Sequence, residues 1–284
     1  IRQVIEADRF TMGKKVEEFE SAYAKKFSTK YAVMTNSGSS ANLVGLASFF
    51  FKRENPLKRG DEVIVPSISW ATTYYPLQQY GLKLKFLDIE LETLNSDVSK
   101  LEEALTPKTK MVVAVSILGN PCSIEVMREF CNKHGLYLFE DNCESMGAEL
   151  NGKLCGTFGD IGTFSTFFSH HISTMEGGII LTENEEIFYL MKSLRAHGWT
   201  RDLPYDSSIF DRGEDDFYEA YRFILPGYNA RPLDLSGAIG IEQLKKLDSM
   251  ITIRRKNAEF FVSLFSKDDR FIIQKENGKS SWFS

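Results

Sequence analysis

The chain has 284 residues, of which 43% are hydrophobic, 26% charged and 13% aromatic, the balance of a packed globular protein. Its net charge is −5 with no block of basic residues, so a nucleic-acid or membrane-surface role has no electrostatic support. Apolar runs such as 112–118 and 177–181 fall far short of the roughly 20 residues that cross a bilayer, and four cysteines (Cys122, Cys131, Cys143, Cys155) without a C-x-x-C pair read as reduced thiols of a cytoplasmic protein.

The chain opens in a helical run at residues 1–5 and stops at 281–284, directly after what reads as the start of a strand, as expected for part of a longer protein. Short apolar runs bounded by Gly, Pro, Asn or Asp predict strands at 31–35, 62–66, 83–88, 111–116, 136–140, 162–166 and 178–182. Amphipathic stretches between them predict helices at 41–52, 71–79, 98–105 and 124–134. This alternation indicates an α/β fold with a mostly parallel sheet covered on both faces. Beyond residue 182 the pattern turns helical, at 185–196, 235–247 and, across a kink, 254–265. Residues 202–221, rich in Asp, Pro and Ser, read as a surface excursion. The expected division is a large α/β domain at 1–248 and the start of a smaller domain at 249–284.

Several segments bear chemistry. Asn36-Ser37-Gly38-Ser39-Ser40-Ala41 follows a strand and opens a helix, the setting of a phosphate site or of a plain Ser cap. Glu140-Asp141-Asn142-Cys143-Glu144 ends an apolar strand, where α/β sheets bind ligands, although a lone Asp there more often caps a turn. The glycines of 156–162 are spaced G-x-x-G-x-x-G, unlike a dinucleotide fingerprint, and read as a turn. His170 and His171 stand side by side between Phe168 and Glu176, without the spacing of a zinc site.

Together these segments resemble the fold-type-I pyridoxal-phosphate enzymes that act on nucleotide-linked keto-sugars. Phe10-Thr11-Met12-Gly13 is similar to that family's entry loop, 36–41 to its phosphate turn, and Pro66-Ser67-Ile68-Ser69-Trp70-Ala71-Thr72 to its ring-stacking segment. Leu118-Gly119-Asn120-Pro121 resembles its substrate-side turn, Glu140-Asp141 its pyridinium acid, and Gly227-Tyr228-Asn229-Ala230-Arg231 the loop that reaches a neighbouring subunit. In the family's aminotransferases a Lys five residues after the Ser of the Ser-Phe segment binds the cofactor covalently. Counting five from Ser165 reaches His170, and no Lys occurs between Lys153 and Lys192. Imidazole cannot replace the amine in that bond.

The resemblance is therefore to the 3-dehydratase branch, and it implies a pyridoxamine or pyridoxal 5′-phosphate held non-covalently. It also implies removal of the C3 hydroxyl from a GDP-linked 4-keto-6-deoxy sugar, with L-glutamate restoring the amine, in 3,6-dideoxysugar and O-antigen biosynthesis. No cysteine follows Cys155, so the iron–sulfur cluster of the related CDP-sugar enzyme lacks ligands. By resemblance His170 is the base and Gly38, Ser39, Ser40 and Ser165 hold the phosphate. Trp70 covers the ring (taken alone, it reads as a core aromatic), and Asp141 keeps the pyridine nitrogen protonated. Glu144 lies by the ring's 3-oxygen, and Asn229 comes from the partner of a homodimer. Met12, His197 and Arg231 face substrate, and Arg195 either does so or caps a helix. The rival readings are an aminotransferase and a catalytically silent homologue.

Overall fold

A computed structural model describes residues 1–283; Ser284 lies outside the described residues. The main sheet has seven strands: β1 (Tyr31–Thr35), β2 (Glu62–Pro66), β3 (Lys83–Leu87), β4 (Thr109–Val115), β5 (Tyr137–Asp141), β8 (Ile161–Ser165) and β9 (Gly178–Thr182). A two-stranded hairpin, β6 (Glu149–Leu150) and β7 (Lys153–Leu154), lies outside it. The order across the sheet is β1-β9-β8-β5-β4-β2-β3, and β9 runs antiparallel to both of its neighbours. The other pairings are parallel, so the carboxyl ends of β1, β2, β4, β5 and β8 share one edge.

Ten helices accompany these strands among the described residues: α1 (Arg2–Glu6), α2 (Lys14–Phe27), α3 (Gly38–Phe50), α4 (Ala71–Gln79), α5 (Leu101–Ala104), α6 (Ile124–His134), α7 (Glu185–Leu194), α8 (Asp216–Ala220), α9 (Asp234–Leu244) and α10 (Leu247–Phe265). Alternate strand residues feed opposite faces, as the two-residue period of a strand requires. Val33, Val63, Val65, Val113, Phe139 and Ile161 pack with α3, α4 and α7. Ala32, Met34, Phe164 and Leu181 pack beneath Phe19, Tyr23 and Phe27 of α2. Ile64, Val112, Ala114 and Leu138 meet α6 through Met127 and Phe130. The result is a sheet sandwiched between helical layers.

The strands and most helices fall where expected, within a few residues. Three segments differ. Residues 98–105 are not one helix but a 3₁₀ turn, Val98–Lys100, running into the single turn of α5. The break between the last helices lies at Lys245 and Lys246, and α10 then continues unkinked to Phe265. The strand start expected just before residue 281 amounts to an isolated antiparallel bridge of Lys279 with Glu149 among the described residues, after which Ser281 and Phe283 donate backbone N–H bonds to the carbonyls of Gly119 (2.9 Å) and Leu118 (3.0 Å).

Candidate active site

The carboxyl edge of the sheet opens into a cavity of about 450 Å³, within the range of small-ligand sites. Its lining draws on separate parts of the chain: Ser37, Gly38 and Ser39, Trp70 and Thr73, Asp141 and Glu144, Ser165, His170, Glu176 and Phe283.

At its floor Asp141, the last residue of β5, is 5% exposed. Its Oδ2 accepts hydrogen bonds from Asn42 Nδ2 (2.8 Å) and Thr73 Oγ1 (2.7 Å), and its Oδ1 accepts one from the Cys143 amide (3.2 Å). Thr163 donates in turn to Asn42 Oδ1 at 2.6 Å, which fixes the amide's orientation. All three donors to Asp141 are neutral, so no cation among the described residues bonds this carboxylate, which faces the cavity. Neighbouring Glu140 points to the other side of the strand. Its oxygens accept the amides of Gly156 (2.7 Å), Phe158 (2.7 Å) and Gly159 (2.6 Å). Burial raises its pKa against the pull of those amides. Of the Glu140-Asp141 pair, Glu140 thus holds the glycine-rich turn, and Asp141 alone faces the cavity.

One wall is the start of α3. Ser37 is the N-cap: its Oγ accepts the Ser40 amide at 3.1 Å. The amides of Gly38 and Ser39 are among the first of the helix and have no intrahelical carbonyl to bond, the condition for anion binding. Gly38 abuts the end of β8 so closely that a Cβ there would lie 2.6 Å from Ser165 Cβ. Glycine is therefore required to bring the helix N-terminus against Ser165. The capping and phosphate-site readings of 36–41 are compatible: Ser37 caps while Gly38 and Ser39 line the cavity.

The opposite wall is His170, in the turn after β8. Its ring lines the cavity, and its Nδ1 is buried without a hydrogen-bond partner. Burial lowers its pKa below the usual imidazole value, opposed by the Cys143 carbonyl and the Asp141 charge, with Arg254 adding to the lowering. Glu144 Oε2 accepts the Leu118 amide at 2.7 Å. Burial raises the Glu144 pKa, against the Leu118 amide and with the help of Asp141. Trp70 is not a core residue: it is 70% exposed, precedes the first turn of α4 and stands at the cavity rim. His171 is buried, its Nε2 3.3 Å from the Ser281 carbonyl oxygen, and takes no place on the wall.

The structure brings Gly38, Ser39, Trp70, Asp141, Glu144, Ser165 and His170 to one cavity, with Ser40 one residue behind. It does not bring Met12, His197, Asn229 or Arg231 there. These cluster at another place. The Met12 amide bonds the Pro232 carbonyl, His197 bonds the Tyr228 carbonyl, Asn229 pairs with Ala196, and Arg231 Nε donates to Asn229 Oδ1 at 3.0 Å. Arg195 is the C-cap residue of α7, its amide bonded to the Met191 carbonyl at 3.0 Å, and its buried side chain turns away from the cavity to pair with Glu20 and bond the Met34 carbonyl. Asn42, Thr73, Glu176 and Phe283 were not foreseen. Asn42 alone carried a signal, an amide among apolar neighbours in a helix.

The arrangement fits a phosphorylated, ring-bearing cofactor. It offers a helix N-terminus beside a Ser hydroxyl, a carboxylate without a cation, an exposed indole at the rim and an unpartnered imidazole nitrogen.

Comparison with known proteins agrees. The model of the DegT/DnrJ/EryC1/StrS aminotransferase family matches residues 1–284. The GDP-4-keto-6-deoxy-D-mannose 3-dehydratase of Escherichia coli O55:H7 is 52% identical over 100% of this chain and 73% of its own length. The E. coli enzyme with bound hydrated pyridoxal phosphate superposes with a TM-score of 0.96 at 52% identity, covering 99% of this chain and 73% of that one. A variant GDP-4-keto-6-deoxymannose 3-dehydratase with bound GDP-perosamine matches equally, at TM-score 0.96, 52% identity and the same coverage of 99% and 73%. The shared fold and the family match over residues 1–284 make this chain a member of the DegT/DnrJ/EryC1/StrS aminotransferase family.

Proposed function

We propose that this chain is a pyridoxal/pyridoxamine-phosphate-dependent 3-dehydratase that removes the C3 hydroxyl of GDP-4-keto-6-deoxymannose, with L-glutamate as amine donor. The observation that carries this reading is His170 on the cavity wall where the family's aminotransferases have lysine. Whole-length identity of 52% to a dehydratase supports it. When bound, pyridoxamine phosphate supplies an amine to the sugar's C4 ketone and a ring that takes up the electron pair released beside it.

The chain's own residues supply position and protons. Gly38 and Ser39 amides with the Ser40 and Ser165 hydroxyls take the phosphate. Asp141 holds the pyridine N–H in its charged form, and its three neutral donors keep the carboxylate aligned without cancelling its charge. Trp70 covers a ring face. Glu144 would lie beside the ring's 3-oxygen. His170, whose pKa burial lowers, would accept a proton at Nε2, since Nδ1 is enclosed, and return it to the departing hydroxyl as water.

The cavity's charged side chains are Asp141, Glu144 and Glu176, with no Lys or Arg among the described residues that line it. A diphosphate-linked sugar and a phosphorylated cofactor both need positive or donor groups there. We place these in a second copy of the chain, which contributes Asn229 and Arg231 across a two-fold homodimer, with Met12 and His197 toward substrate. Four free thiols suit the cytoplasm. No helix among the described residues is long and apolar enough to cross a membrane.

The test is incubation with GDP-4-keto-6-deoxymannose, pyridoxamine phosphate and glutamate. A deoxygenated keto-sugar with ammonia is expected, and an amino sugar would overturn the reading. His170→Asn should lower turnover by about 10³-fold, within the range of general acid–base catalysis. Cofactor binding should persist, and near-normal turnover would remove His170 from its role.

A further inference from the structure

Resting on the dehydratase reading, we propose that Arg254 is a positioning residue for His170, acting by lashing residues 280–283 over the cavity so that the Phe283 ring packs on the imidazole. His170 needs such support. Apart from the Cys143 carbonyl, which favours its protonated form without making an ordinary hydrogen bond, nothing polar orients Nδ1. The ring is held by packing instead. Its centroid lies 5.0 Å from that of Phe283 and 6.4 Å from that of Phe167. Phe167 belongs to the same turn, whereas Phe283 arrives from far along the chain and must be held by something else.

The holding is specific. Arg254 on α10 donates through Nη1 to the carbonyls of both Trp282 (3.1 Å) and Phe283. Arg255 Nε donates to the Ser280 carbonyl at 2.8 Å. On the inner side the Ser280 hydroxyl and the Ser281 amide donate to Gly119 O at 2.7 and 2.9 Å, and the Phe283 amide donates to Leu118 O at 3.0 Å. Leu118 itself sits in the left-handed region (φ 53°), a conformation that a branched side chain resists. It stays there while its amide bonds Glu144 and its carbonyl receives Phe283. The segment is therefore gripped from α10 outside and from the 117–119 turn inside, and the one side chain it sends into the cavity lies on the proposed base. This couples the second part of the chain to the proton-transfer residue.

The charged and titratable groups around His170 are Asp141 at the end of β5, Cys143 and Glu144 just after it, Glu176, the adjacent His171, and Arg254 from α10. Replacing Arg254 by Met keeps the apolar stem but removes both the grip and the cation. Replacing Phe283 by Ala removes the apolar cover and leaves the cation. In the cofactor-free chain, the His170 ring resonance, assigned by its loss in His170→Asn, should titrate at higher pH in both variants. Arg254→Lys, which keeps the charge, should restore the titration partly. In the loaded enzyme each variant should lower kcat by about tenfold, as a small misplacement of a proton-transfer group does. KM for the GDP-sugar should change less than about twofold, since binding groups are untouched. The acid limb of the kcat–pH profile should move up with the titration. Unchanged kcat and unchanged titration in folded Phe283→Ala, checked by circular dichroism, would overturn the proposal. So would an equal rise in KM with no change in titration. If wild-type chain fails to deoxygenate the GDP-sugar, the functional reading falls, yet the resonance titration still decides whether the strap controls His170.

Discussion

Two regions of the molecule carry the residues expected to serve catalysis, and they are built differently. Around Asp141, four side chains from four elements (Asn42 on α3, Thr73 on α4, Asp141 on β5, Thr163 on β8) satisfy one another inside a single chain. Around Asn229 the backbone is tied down, through Tyr228, Ala196 and Pro232, while the Asn229 side chain is exposed and meets only Arg231. The first region is finished within one chain. The second is a fixed backbone platform whose Asn229 and Arg231 side chains bond each other and do not line the cavity. On the homodimer proposed above, a cavity with three carboxylates and no Lys or Arg among its described lining, and donors displayed elsewhere, would be complementary halves.

The sharpest way to break that comparison is to damage one half in each of two chains. Asp141→Asn should lower turnover by at least about 10²-fold, because a neutral amide cannot hold the pyridine nitrogen charged. Asn229→Ala should also lower it strongly. When the two inactive variants are co-expressed, random pairing makes half the dimers hybrid, each with one intact site, so about a quarter of wild-type activity should return. Hybrids that form, shown by differential tagging, but recover no activity would mean that Asn229 serves its own chain or none.

A smaller effect tests whether the Asp141 cradle is a connected network. Asn42→Ala removes a donor to Asp141 and the shorter of the two bonds made by the Thr163 hydroxyl, leaving it the Glu140 carbonyl at 3.2 Å, and should cost about 1–3 kcal/mol of stability in urea denaturation, the range for disrupting buried polar groups. Thr73→Val removes only one donor, since Asn42 and the Cys143 amide remain, and should cost less. Equal costs, or a neutral Asn42→Ala, would show that the contacts act separately.

Much of the first region was legible because its parts follow local rules. The strands are short apolar runs buried on both faces, and their carboxyl ends mark where Asp141 and Ser165 must lie. The split between Glu140 and Asp141 also follows from strand geometry, since adjacent side chains leave on opposite faces. Helix α2 carries its own signal in the spacing of Val16, Phe19, Tyr23 and Phe27, although the strand-by-strand alternation does not point to it. What could not be read is the assembly in space. Nothing local in Thr73 links it to Asp141, and nothing in Phe283 to His170; both contacts arise only when the sheet order and the return of the chain over the 117–119 turn are known. Trp70 misleads for a related reason: indole is usually buried for its area, and only the position before α4 at the sheet edge exposes it.

The smallest effect at neutral pH separates the two adjacent histidines. His171 is 1% exposed and its Nδ1 has no partner, and burial lowers its pKa to about 3, helped by the Arg254 charge. In the unfolded chain it titrates near the ordinary imidazole value of about 6.5. Above that pH both states are neutral and the residue adds no pH dependence. Between pH 6.5 and 3 the unfolded state binds a proton that the folded state refuses, so stability falls as pH falls, by at most about 1.4 kcal/mol per pH unit. His170 shifts in the same direction. His171→Gln should cost little at pH 7 but flatten the acid slope of the unfolding free energy relative to wild type, with carboxylate titrations cancelling in the difference. Parallel slopes for the two proteins would show that His171 is protonated in the folded chain, and would place the polar contact to Ser281, not burial, in control of this turn.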